Sequence, residues 1–183
     1  MRKLFLTMAI LLPLLSFGQE IKFMGLALGT DVDAFCKKLK EKGLKQTVDR
    51  FENKEFEGTF ATYPNCRIIV SATEVSKKVK SVEVIFESVR NKKEQRDHVY
   101  LEVLKQYKNK YGDKLKREPY DKTKNDFLGI KTWSIIEGDL QIHIHKIGPS
   151  VLSPDECSLS VLYMSESLRM LKELNPNNHS DDI

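Results

Sequence analysis

From Thr30 onward the sequence passes twice through the same series of periodicities, and each series asks for one helix followed by a run of strands. The first helical stretch covers residues 30–43, where Val32, Phe35, Cys36 and Leu39 recur at the i, i+3, i+4, i+7 spacing of a narrow apolar stripe. Thr30 with Asp33 reads as a variant capping box. Asp31 and Asp33 sit in the first turn, where the positive end of the helix dipole favours them; lysines fill the remainder, and Gly43 ends the helix. A second, longer stretch opens at Asn91 with Glu94, carries Tyr100, Val103, Leu104, Tyr107 and Tyr111 on one face, and closes at Gly112.

After each helix a polar connection leads to a Phe-x-Gly tripeptide, Phe56-Glu57-Gly58 in the first half and Phe127-Leu128-Gly129 in the second. Three runs rich in β-branched or aromatic residues follow each time: 59–63, 67–73 and 79–87, then 131–136, 140–147 and 157–164. The last runs share one alternation, Ser81-Val82-Glu83-Val84-Ile85-Phe86 against Ser158-Leu159-Ser160-Val161-Leu162-Tyr163. The order αβββ, αβββ predicts an internal duplication with units over residues 21–90 and 91–165.

Gly138-Asp139 reads as a two-residue turn, and its register sets Trp133 opposite Ile144 and Ile135 opposite Ile142. Strands joined by short turns must be antiparallel, and helices with one apolar stripe each can cover only one face of such a sheet. The expected fold is therefore α+β: two αβββ repeats forming an antiparallel sheet, with two helices packed on one face. A short C-terminal helix over 166–174 is added, with Leu168, Met170, Leu171 and Leu174 on one side and Pro176 stopping it. These elements make a single domain over 19–175, followed by a polar tail over 176–183.

The first 18 residues read as a removable signal peptide. Arg2 and Lys3 precede a mostly apolar run over 4–17, and the chain turns polar at Gln19 and Glu20. A helix over that run reaches only about 21 Å, short of the roughly 30 Å hydrocarbon core, which disfavours a retained anchor. Ser16 and Gly18 place small residues before a cut at Gln19, and no Cys stands there for lipid attachment. The chain is therefore expected to be exported, to the periplasm or beyond. Two of the 30 basic and none of the 26 acidic residues lie in the leader, so the net charge falls from +4 to +2. The lysine pairs Lys37-Lys38, Lys77-Lys78 and Lys92-Lys93 read as solvated faces, and an exported chain is not expected to meet nucleic acid.

The run Phe23-Met24-Gly25-Leu26-Ala27-Leu28-Gly29-Thr30, continued by Phe35, Leu39 and Gly43, resembles the opening of uncharacterised small exported proteins of gut anaerobes. The duplicated layout is loosely similar to the tandem repeats of the beta-lactamase-inhibitor-protein type, from which it departs by lacking one helix and one strand per unit. The first resemblance implies no activity; the second implies protein binding by analogy.

Three cysteines are an odd set for an exported chain. Cys36 and Cys157 fall in phase with apolar neighbours and read as small buried hydrophobes, while Cys66 stands at a turn. One disulfide among the three stays open as an alternative.

No nucleophile elbow, phosphate-cradling loop, Cys-x-x-Cys or zincin helix occurs, so no cofactor is expected. His143 and His145, two apart on a strand, project from one face about 7 Å apart and could share a metal. Zinc normally takes three or four protein ligands, however, and the residues opposite are Ser134 and Thr132. Ile69, Ile85, Ile136 and Leu162 are out of phase with the core and should lie beside Gln141, His143 and His145 on the face away from the helices. A polar face was the simpler expectation, so these residues mark a covered surface or a partner site. The loop over 147–156 is longer than its counterpart over 74–78. The leading function is a non-catalytic module binding an envelope or extracellular protein or peptide; the alternative is a metal-binding protein or metal-dependent enzyme built on His143 and His145.

Overall fold

The computed structural model describes residues 21–50, 53–119, 129–148 and 157–171. Eight strands form one antiparallel sheet: β1 (Lys45–Asp49), β2 (Asn53–Phe60), β3 (Tyr63–Ala72), β4 (Val79–Phe86), β5 (Lys116–Arg117), β6 (Ile130–Glu137), β7 (Leu140–Ile147) and β8 (Ser158–Ser165). Helix α1 (Val32–Glu41) precedes the first four strands, α2 (Lys93–Tyr111) precedes the second four, and α3 (Glu166–Met170) ends the described chain. The order across the sheet is β1-β2-β3-β4-β8-β7-β6-β5, so the chain builds inward from one edge to β4, crosses over, and returns to the centre at β8. No described helix is long and apolar enough to cross a membrane.

The fold is α+β with an antiparallel sheet, as expected, but the sheet is wider by β1 and β5. Neither carries a strand pattern. Lys45-Gln46-Thr47-Val48-Asp49 has one apolar residue and is held to β2 by its backbone as an edge strand. The expected run 59–63 is also displaced. Residues 59 and 60 end β2, Ala61 and Thr62 make the turn, and Tyr63 opens β3. Phe56-Glu57-Gly58 therefore lies inside β2, while Phe127 and Leu128 fall outside the described residues.

Both helices lie on the same face. Val32, Phe35, Cys36 and Leu39 of α1 and Tyr100, Val103, Tyr107 and Tyr111 of α2 are buried against Phe56, Ile68, Val70, Val82, Val84, Val161, Ile144 and Ile142 of the sheet. Phe23 joins them, its ring 5.6 Å from Phe60 and 5.2 Å from Tyr163. The turn at Gly138-Asp139 sets Trp133 opposite Ile144 and Ile135 opposite Ile142.

The helix starts differ from the sequence reading. Asp31, not Thr30, caps α1, accepting from the backbone N–H groups of Asp33 and Ala34, while the Thr30 hydroxyl donates back to Ala27. Asn91 gives no cap to α2. Its N–H donates to the Cys157 carbonyl and its side-chain oxygen accepts from the Cys157 N–H, tying the helix start to β8. Arg96, polar by type, is buried on α2 at 2 % exposure.

Cys66 belongs to β3 rather than a turn, and all three cysteines are buried free thiols, so no disulfide forms among them. Burial pushes the Cys36 thiol up to about 11, which keeps it protonated and unreactive. The helix expected over 166–174 instead ends at Met170, with Leu171 extended and exposed after it, and it buries none of its side chains; Met170 is 65 % exposed. Residues 1–18 with the cut before Gln19, the loop over 149–156, Leu174, Pro176 and the tail fall outside the described residues.

Candidate functional site

The face turned away from α1 and α2 follows from register alone. One row across it reads Glu55, Ile69, Glu83, Leu162, His143, Ser134 and Lys116, each opposite the next on the neighbouring strand. The row beside it reads Glu57, Arg67, Ile85, Ser160, His145 and Thr132, with Glu118 bonding to the Thr132 carbonyl at its end. A third row passes through Ser71, Ser81, Met164, Gln141 and Ile136.

All seven residues singled out from the sequence share this face, but they do not make an apolar patch. Ile69 lies between Glu55 and Glu83, Ile85 between Arg67 and Ser160, Leu162 between Glu83 and His143, and Ile136 beside Gln141. The surface is a checkerboard of aliphatic and charged groups. α3 does not cover the isoleucines either. It sits at the end of β8, its first N–H groups held by the Asp139 carbonyl and carboxylate and its Leu168 against Gly29. Among the described residues no apolar segment is laid over these positions, and the acidic and imidazole side chains interleaved with them call for water or polar partners.

The histidines are fixed by neighbours. Their rings stack in parallel, 5.7 Å apart. His143 has Nδ1 3.1 Å from a Glu118 carboxylate oxygen and Nε2 2.9 Å from the Gln141 side-chain oxygen; His145 has Nδ1 3.1 Å from the Thr132 hydroxyl. Burial, with the adjacent His143, holds the His145 pKa below its ordinary value, against the pull of Glu83 and Glu118. With both nitrogens of His143 occupied, a metal bridging the pair would first have to displace Glu118 or Gln141. No group of three or more His, Cys, Asp or Glu side chains among the described residues is placed to hold a metal.

Beside this pair lies a shallow groove of about 510 Å³, lined by Asp113, Lys114, Lys116, Ser134 and Ile136, where Ile136 stands 62 % exposed. Across the sheet Arg67 donates to Glu87 at 2.9 Å and reaches Glu55 at 3.6 Å, and Arg90 lies 3.5 Å from the same Glu87. Glu83, at the centre, makes no hydrogen bond or ion pair among the described residues. Comparison with known proteins finds no matching family model, no matching curated protein and no matching solved structure.

Glu55, Arg67, Glu83 and Glu118 are the residues of this face that the sequence reading passed over. Two of them, Arg67 and Glu83, alternate in phase with Ile69 and Ile85 on their own strands, so the period-two pattern that selected those isoleucines also points to their charged neighbours.

Proposed function

We propose that this chain is an exported, non-catalytic binding module that holds an envelope or extracellular protein or peptide on its open sheet face. The observation that carries the reading is the centre of that face, which no described element covers. There Ile69, Ile85 and Leu162 stand half-buried beside Glu83, His143 and His145, a mixture of apolar and hydrogen-bonding groups that suits a polypeptide partner better than bulk water. Export, to the periplasm or further, rests on the charge and hydropathy order of residues 1–18.

We infer also that the chain is a duplication of one helix-plus-strands unit. What supports this is the mirrored strand order about β4 and β8, with one helix and four strands on each side. The fourth strand per unit removes one of the two departures from the beta-lactamase-inhibitor-protein type.

The test is a photo-crosslinking side chain at Gln141 on the open face and another at Lys38 on α1, in protein exported by the native cell. A partner captured from Gln141 and not from Lys38 is the expected result. Capture from neither, together with a stoichiometric metal in protein purified without chelator, would replace this reading by the metal-binding one.

A further inference from the structure

A second concavity lies on the helix side of the sheet, away from the open face. This cleft of about 160 Å³ opens where α2 passes the turn between β2 and β3, and it is lined by Phe60, Ala61, Gln106, Tyr107, Lys110 and Tyr163. Phe60, Tyr107 and Tyr163 are buried and make its aromatic floor, while Ala61, Gln106 and Lys110 are exposed and mark its mouth. No lining residue is acidic.

The floor holds a hydrogen-bond donor with nothing to donate to. The hydroxyls of Tyr107 and Tyr163 bond to each other, and among the described residues neither oxygen has another hydrogen-bond partner. Two phenols carry two O–H protons, and one bond between them uses a single proton, so the other is left over. Burial raises the pKa of both phenols, so that proton is kept rather than lost. A buried donor without an acceptor is costly, and the cleft bordered by both rings is where an acceptor can reach it. At the mouth Lys110 has no carboxylate partner among the described residues; its ammonium stands 4.9 Å over the Tyr111 ring, a contact that leaves its N–H groups free to donate.

We propose that this cleft binds a small monocarboxylate with an apolar body. The carboxylate accepts the spare phenol proton and meets the Lys110 ammonium, and the body lies on Phe60 and the two tyrosine rings. The space equals that of about five waters at roughly 30 Å³ each, which limits the ligand to a short-chain or single-ring acid. A cation finds no acidic partner in the lining, and a neutral hydrocarbon leaves the phenol proton unmet. Phosphate would give up its water to aromatic walls with too few donors to replace it. The site stands apart from the open sheet face, so its fate does not decide the protein-binding reading.

The isotope-labelled mature chain is titrated at constant ionic strength with benzoate, with butyrate, and with benzylamine as a cation of similar shape to benzoate, and its backbone amide shifts are followed. At least one of the two acids is expected to bind saturably, with shifts at Ala61, Gln106 and Lys110, and benzylamine is expected not to. Lys110→Gln should weaken the binding about tenfold, as should the double change Tyr107→Phe with Tyr163→Phe, which removes the donor and keeps the rings; Lys38→Gln on α1 should leave it unchanged. If the double variant does not fold, Lys110→Gln decides alone. The proposal is overturned if neither acid binds saturably, which would leave water as the only occupant, or if benzylamine binds equally well. Shifts confined to another part of the chain, or an affinity indifferent to Lys110→Gln or to the double change in folded protein, overturn it as well.

Discussion

The hydroxyls of Tyr107 on α2 and Tyr163 on β8 meet inside the core and bond to each other. Both phenols are buried, and burial raises the pKa of each, so the pair is neutral and each hydroxyl depends on the other for its hydrogen bond. Tyr107→Phe leaves the Tyr163 hydroxyl unsatisfied and should cost about 1–3 kcal/mol. The double change to Phe at both positions should recover most of that loss. Urea unfolding of the two singles and the double checks it, and additive losses would contradict the pairing.

Gly58 tests the close approach of β2 to the chain entering β1. A Cβ at this position would stand 2.5 Å from the Leu44 Cδ2, and Leu44 is buried. Gly58→Ala should therefore destabilise by about 1–3 kcal/mol through overpacking. Leu44→Ala, harmful alone, should couple favourably with it in a double-mutant cycle.

Arg96 donates through Nε and Nη2 to Asp97 and through Nη1 to the Ile147 carbonyl, at 2.9, 2.7 and 2.7 Å. Lys146 completes the cluster, 2.9 Å from Asp97 and 5.1 Å over the Tyr100 ring. Arg96→Leu keeps the packing of the stem but orphans the Ile147 carbonyl, and a loss of about 1–3 kcal/mol is expected. Arg96→Lys should not restore it, since an ammonium cannot fork between Asp97 and the carbonyl. Thermal unfolding of the two variants distinguishes these outcomes.

His145 gives the sheet a pH dependence of defined sign. Its native pKa lies below the ordinary 6.5, so the unfolded chain binds the proton more readily. This contribution is fully present above pH 6.5 and is lost as pH falls through that value toward the depressed native one. His145→Gln should flatten the difference in melting temperature between about pH 7.5 and about pH 5.

What was legible in the sequence was what repeats with a clean period. The α1 stripe is uninterrupted, so Val32, Phe35, Cys36 and Leu39 are buried as read. The hairpin of β6 and β7 has a glycine at its turn, and its register follows. The missed turn at Ala61-Thr62 has no glycine; Ala61 takes φ +53° because the flanking pairs hold it there. β1 and β5 are made by backbone bonding to a neighbour that only the tertiary fold supplies. Arg96 was invisible as a core residue because its carboxylate and carbonyl partners come from its own chain neighbour and from β7. On the open face, selecting apolar residues by phase found the right surface and the wrong texture, since the charges between them carry its character.

The pairing of β4 with β8 sets how this chain must fold. Every other strand contact closes within one half, whereas Ser81 opposite Met164 and Val84 opposite Val161 join positions roughly 80 residues apart. Each flank can zip from its hairpins with little loop entropy to overcome, but the central seam has to wait until both inner strands exist. The last structure to form is thus the middle of the sheet, and the residues of the proposed binding face that straddle it, Glu83 and Leu162, come together only in the complete fold.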